Sequence, residues 1–341
     1  MIGLLSIWRD TKMTTKTQIL SALKIIGVSL LAALVASCKE QPELANQSPV
    51  SGSNVSVIDH TGKAVVLTSP AKRIVALAPH LVENVFSAGA GDFLVGVISH
   101  SDFPEAAKKL PIVGSHEKAN LEQILSIQPD LVLAWESGNS AANINSLREL
   151  GITVYVDRTK TLNGIARTVR DIGVLAGTSE IAEAASRNFL EQIEGLRKEY
   201  YYARKISTFY QVWNNPLLTI NGEHIITATI ELCGGTNIYA DLEQIAPTIN
   251  IESVLEKNPE AIIASGMADG RPGWLDEWRQ WETLRAVQNN ALFFVHPDHI
   301  QRHTMRVLKA ARTICAQLEQ LRQSSPRDNN PTTLELLPEL N

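Results

Sequence analysis

The stretch ANLEQILSIQPDLVLA, Ala119 to Ala134, recurs 130 positions further on as INIESVLEKNPEAIIA, Ile249 to Ala264. Asn120 falls on Asn250, Glu122 on Glu252, Leu125 on Leu255 and Pro129 on Pro259. Each copy reads as a short helix, stopped at proline and followed by an apolar strand, and in the first copy Asn120 can cap the helix Leu121–Ile127. A chain that writes one helix–proline–strand unit in each half is constrained to fold as two similar lobes.

The surrounding sequence agrees. RIVALA (Arg73–Ala78), FLVGVIS, DLVLAW and ITVYV read as strands, with HLVENVFSAG and SAANINSLREL as helices between them. GAGD at Gly89–Asp92 lacks a phosphate-loop pattern and reads as a helix stop. From Thr178 to Tyr202 no strand interrupts a helical spacing of Ile181, Ala185, Phe189, Ile193, Leu196 and Tyr200, which predicts one long strut. The alternation then restarts with KISTFYQVW, ITATIEL before Gly234-Gly235, Asn250–Lys257, EAIIAS and ALFFVH, and ends in a helix near Thr304–Leu321. The expected fold is α/β: two Rossmann-like lobes with mostly parallel central sheets, joined by one long α-helix. The expected boundaries are 1–38 for a leader, 39–55 for a flexible tether and 56–158 for the N-terminal lobe. Connecting helices with the strut take 159–203, the C-terminal lobe 204–321 and a loose tail 322–341.

The leader is read from Lys16 and Lys24, the apolar run Ile25–Leu34, and Val35-Ala36-Ser37-Cys38. That run is short for a membrane span. The last four residues resemble the lipobox of bacterial lipoproteins, which makes Cys38 the expected lipidation site. A plain signal peptide with an incidental cysteine is the alternative. Lys39 follows where an aspartate retention signal can stand, which leaves either membrane as the anchor's seat. The other two cysteines, Cys233 and Cys315, are an even number in an exported, oxidising compartment and are expected to pair; two buried free thiols are the alternative. A net charge of −5 with no basic stripe argues against a nucleic-acid partner.

Solutes bind α/β lobes beyond the carboxyl ends of parallel strands. Residues just after strands include His80, His100, Phe103, His116 and Trp135 in the first lobe, and Trp213, Trp274, His299, Asp298 and Arg302 in the second. Aromatics there suit a large, flat, partly apolar solute, with Asp298 and Arg302 positioned to bond amides around its rim. Trp274, Trp278 and Trp281 sit at helical spacing, which is commonly core packing; only Trp274 is expected to face the cleft. The histidines raise a metal reading, since imidazole is the commonest transition-metal ligand. His299 and His303 are four apart, one face of a helix if one has begun there. No HExxH pattern or tight His/Asp cluster strengthens it, so polar lining is the reading preferred and no metal or cofactor is expected. Glu122 and Glu252 lie in the first turn of their helices, where a carboxylate complements the helix dipole. In two lobes related by a pseudo-twofold they also occupy matching positions, suited to a twofold-symmetric partner with one basic socket for each.

RIVALAPHLVE, GVISHSDFP, ANLEQILSIQPDLVLAWESGN, ELCGGTNIYAD, NIESVL and DHIQR together resemble the cobalamin-binding branch of the helical-strut (class III, cluster A) substrate-binding proteins of ATP-driven importers, over about residues 70–321. The resemblance implies two lobes bridged by one helix with modest closure, the disulfide pair, and two glutamates that dock onto arginines of a permease homodimer with its ATPase subunits. It implies that Trp135 touches the corrin ring and that Asp298 and Arg302 touch the ligand. His100 and His116 stand where the family has a tyrosine and a tryptophan, Ala246 replaces a C-lobe tryptophan, and Trp213 sits beside the position of a phenylalanine. These differences bear on which solute is bound and leave the fold untouched.

The expected function is therefore a periplasmic, lipid-anchored importer subunit that captures cobalamin or a related corrinoid. An iron–siderophore, haem or other metal chelate on the same scaffold is the alternative, and a non-transport surface sensor a third. Catalysis is not expected: there is no G-x-S-x-G, and His100 and Asp102 lack a nucleophile beside them.

Overall fold

The computed structural model describes residues 54–115, 118–266 and 270–324. An antiparallel hairpin, β1 (Val55–Ile58) and β2 (Ala64–Leu67), comes first and has no counterpart among the sequence expectations. Then come β3 (Ile74–Ala76), α1 (Pro79–Ser87), β4 (Leu94–Val97), α2 (Leu121–Ser126), β5 (Leu131–Trp135), α3 (Ala141–Glu149) and β6 (Val154–Asp157). The last four of these strands form a parallel sheet ordered β4-β3-β5-β6. Two helices follow: α4 (Leu162–Ala176), closed by Gly177 at φ 73°, and the strut α5 (Ser179–Tyr200). The strut is 22 residues long, with Thr178 as its N-cap and Tyr201 as its C-cap residue, so the expected run was overlong by its caps and Tyr202.

The second lobe holds β7 (Ile206–Gln211), a small hairpin of β8 (Trp213–Asn214) and β9 (Leu217–Leu218), α6 (Ile225–Leu232), β10 (Gly235–Asn237) and α7 (Ile251–Lys257). It ends with β11 (Ala261–Ala264), α8 (Arg285–Gln288), β12 (Leu292–Phe294), α9 (Pro297–Ile300) and α10 (Val307–Ser324). Its sheet is parallel and ordered β10-β7-β11-β12. Counted along the chain, both four-stranded sheets run second, first, third, fourth. The lobes are copies in topology as well as in phrase.

Both sheets are buried on both faces, as parallel sheets must be. In the first, Ile74, Leu131, Leu133 and Tyr155 pack to one side, and Val75, Val132, Ala134 and Val156 to the other. In the second, Tyr210 and Ile263 oppose Phe209 and Ile262 in the same way.

The repeated phrase has a structural cause in each lobe. Asn120 Oδ1 accepts from Gln123 N at 3.1 Å and Asn250 Oδ1 from Ser253 N at 2.8 Å, so both helices are capped alike. The acid after each proline then latches the incoming strand to its neighbour. Asp130 N donates to Arg73 O at 2.8 Å, and its carboxylate accepts from Lys72 N and Arg73 N at 2.7 and 2.9 Å. Glu260 N donates to Ser207 O at 2.9 Å, and its carboxylate accepts from Ser207 N at 3.0 Å.

Cys233, after α6, and Cys315, on α10, form a disulfide across 82 positions. Helix α10 begins at Val307 and runs to Ser324, beyond the expected lobe boundary at 321. No helix among the described residues is long and apolar enough to cross a membrane. The expected leader with Cys38, nearly all of the tether, His116 and the tail beyond Ser324 lie outside the described residues.

Candidate functional site

The carboxyl ends of β5 and β6 meet in register, with Trp135 opposite Asp157. Trp135 lines a cavity of about 310 Å³ whose walls come from both lobes. Arg158 and Thr159 contribute from the first lobe, and Val212, Ile220, His224, Ala246, Gln301 and His303 from the second. Such a mostly apolar wall with a few polar groups is the usual composition of a solute site. A separate hollow of about 350 Å³ beside Arg197, Tyr200, Lys205 and Glu231 lies at the amino end of β7, the opposite edge of that sheet.

Trp135 is held in place from three sides. Its backbone N–H donates to Asn139 Oδ1 at 2.7 Å, and the Asn139 side-chain amide donates to Leu77 O at 2.9 Å. A Cβ at residue 138 would stand 1.8 Å from the indole, so only glycine admits the ring there. His80 meets the same ring edge-on at 5.3 Å between centroids.

Behind the tryptophan, Asp157 is fully buried. Its Oδ1 accepts from the hydroxyls of Thr159 at 2.7 Å and Thr168 at 2.8 Å. Its Oδ2 faces His80 Nε2 at 3.4 Å, and His60 Nδ1 lies 3.6 Å from Oδ1. Burial pushes the Asp157 carboxyl up, but His80, Thr159 and His60 outweigh it and hold the group well below the ordinary carboxylate range. His303 stands 5.6 Å from the His80 ring and 6.0 Å from His224. Burial, with two imidazole neighbours, presses His303 down to about 3, and burial alone presses His224 down to about 4, so both are neutral near pH 7.

At one side of this cleft the lobes are clasped by charge. Glu83 of α1, 3% exposed, accepts from Arg302 Nη1 at 2.9 Å and from Arg306 Nε and Nη2 at 2.8 and 2.6 Å. Arg302 also pairs with Asp102 at 2.8 Å and Asp298 at 2.9 Å. Arg306 lies 4.1 Å over the Phe103 ring, and Asn84 Nδ2 donates to His303 O at 3.1 Å.

A family model described as periplasmic binding protein matches residues 74–299. The chain belongs to the periplasmic binding protein family. Such proteins are binding components rather than enzymes, and membership makes this an exported, periplasmic-type protein. The chain is 38% identical over 253 residues to a vitamin B12-binding protein of Vibrio cholerae, covering 73% of this chain and 90% of that one. It is 37% identical over 254 residues to the vitamin B12-binding protein of Vibrio campbellii, covering 74% and 92%. Among solved structures it is similar to the periplasmic vitamin B12 binding protein of Vibrio cholerae, with TM-score 0.69, 36% identity, and coverage of 75% and 99%. A periplasmic heme-binding protein of Roseiflexus, at TM-score 0.65 and 18% identity over 74% of this chain and 100% of that one, shares the fold.

The sequence-expected residues of this periplasmic binding protein are distributed unevenly. Trp135 lines the cavity. His80 lies behind it, against Asp157. His100, Phe103, Asp298 and Arg302 take part in the clasp, His100 through its carbonyl, which accepts from Arg302 at 3.4 Å. Trp213 and Trp274 form their own edge-to-face pair at 6.4 Å, just past the end of β7. His299 is not on one helix face with His303, because α9 ends at Ile300 and α10 starts at Val307. Its ring instead lies 4.8 Å from His296. Trp278 is core, 3% exposed, and donates to Gln211 Oε1 at 2.7 Å. Glu122 and Glu252 are exposed at equivalent positions of α2 and α7. The sequence reading also found no tight His/Asp cluster, whereas the fold assembles one from His80, Asp157 and His303. Its members are far apart in the chain. Asp157 was nonetheless within reach, since it directly follows the strand-like ITVYV.

Proposed function

We propose that this periplasmic binding protein captures cobalamin or a related corrinoid in the cleft beside Trp135 and delivers it to an ATP-driven importer. The single observation that carries the reading is 38% identity with a vitamin B12-binding protein across 73% of the chain. The cleft is consistent with it: a large indole at the carboxyl ends of the strands offers a flat apolar face to a planar macrocycle. The cavity of about 310 Å³ takes one edge of so large a solute. Delivery goes to a permease homodimer with its ATPase subunits, with Glu122 and Glu252 each meeting one half. Cys38 carries the lipid that tethers the protein to a bacterial membrane.

Isothermal titration with cyanocobalamin tests the reading. The expected result is one site per chain with Kd below about 10 μM. Heat with haem or a ferric siderophore and none with cyanocobalamin transfers the assignment to a metal chelate. For the anchor, Cys38→Ala should move the protein from the membrane fraction to the soluble one; retention in the membrane removes Cys38 from that role.

A further inference from the structure

Three metal-ligating side chains converge behind Trp135. His80, Asp157 and His303 each bring one donor atom, and these atoms lie within 4.8 Å of one another. His80 Nε2 and Asp157 Oδ2 are 3.4 Å apart. In a tetrahedral site with bonds of ~2.0–2.1 Å, neighbouring donors stand about 3.4 Å apart, so this pair already has the required spacing. His303 needs only a small inward shift, and it lies in the turn between α9 and α10 rather than within a helix.

Two further observations point to a ligand. Nε2 of His80 and Nδ1 of His303 are buried without a hydrogen-bond partner, and His80 as a whole is 6% exposed. His80 Nε2 stands 3.4 Å from Asp157 Oδ2, a charge contact without a hydrogen bond. Buried polar atoms are rarely left unpaired, and two in one spot call for an occupant. The other oxygen of Asp157 is meanwhile fixed by Thr159 and Thr168, the kind of outer hydrogen bonding that orients a ligating carboxylate.

We propose that His80, Asp157 and His303 bind one divalent transition-metal ion, with a fourth position open to the cleft. Two imidazoles and a carboxylate are a donor set for zinc or cobalt rather than for calcium or magnesium. The ion enters from the cavity, which His303 lines. His80 and Asp157 belong to the first lobe and His303 to the second, so the ion ties the lobes together beside Trp135. The site needs no corrinoid and stands or falls independently of the solute reading.

The test uses the purified protein, stripped with a chelator and titrated with zinc chloride and, separately, cobalt chloride, in the absence of any corrinoid. The expected result is one ion per chain with Kd below about 10 μM and a raised melting temperature. Bound cobalt should show the visible absorption of a four-coordinate site. His303→Gln and His80→Gln should each weaken zinc binding at least tenfold. If His80→Gln fails to fold, His303→Gln, in a turn, carries the test alone. Zinc binding weaker than about 10 μM, or binding that His303→Gln leaves intact, overturns the proposal.

Discussion

Trp135 owes its position to Gly138, since any side chain there meets the indole at 1.8 Å. Gly138→Ala should therefore displace the ring and weaken cyanocobalamin binding in the same direction as Trp135→Ala. Trp135→Ala should cost about 1–3 kcal/mol of affinity by calorimetry, as loss of a stacked aromatic does. Unchanged affinity in both variants would remove the ring from the site. Glu260 makes a second prediction. Burial raises its carboxyl, but Arg204, Ser207 and Arg285 outweigh that and hold it below its ordinary value. A depressed folded-state value means the stabilisation is present above pH ~4.5 and lost as pH falls through the folded value. Denaturation should show Glu260→Gln less stable by about 1–3 kcal/mol at pH 7, with the gap closing in acid as the pH falls below the ordinary glutamate range. A gap that persists in acid contradicts this. At this scale the sequence was partly legible. Trp135 follows from the strand-end rule, and the same rule reaches Asp157. That His303 folds back onto Asp157 is set by α9 stopping at Ile300, which no local spacing encodes.

The elements were more legible than the residues, because periodicity and caps are local. The phrase shared by α2–β5 and α7–β11 announced both helices, both prolines and both strands; Asn120 caps as expected, and Asn250, expected as the first residue of its helix, is the cap of α7. The acids Asp130 and Glu260 were visible in the phrase, but their bonds run to β3 and β7, far off in the chain. Short edge elements such as β10, Gly235–Asn237, escaped because three residues carry no period. The exposed acids of α2 and α7 make the prediction for this scale. Glu122→Lys with Glu252→Lys should leave cyanocobalamin affinity intact, since neither lines the cavity, while vitamin uptake through the permease falls. Uptake that survives the double reversal separates these glutamates from docking.

Across the whole molecule, two lobes of one topology are joined by the strut, the second is pinned by the disulfide between Cys233 and Cys315 on α10, and the two are held at the cleft by the Glu83 clasp. Removing one partner from a buried ion pair leaves uncompensated charge, and Glu83 neutralises two arginines at once. Glu83→Gln should lower stability to denaturant by about 3 kcal/mol, softened because Arg302 keeps Asp102 and Asp298. A variant as stable as the parent would show the clasp to be incidental. Family resemblance made the two lobes legible early. It also cast Asp298 and Arg302 as ligand contacts; their charges meet each other, and Arg302 meets Glu83 and Asp102 of the facing lobe. The most direct test of a solute gripped between matching lobes is a crystal structure with cyanocobalamin. The corrin should lie at the carboxyl ends of both sheets with Trp135 against it. A corrin seated on an outer face, away from β5 and β11, would contradict it.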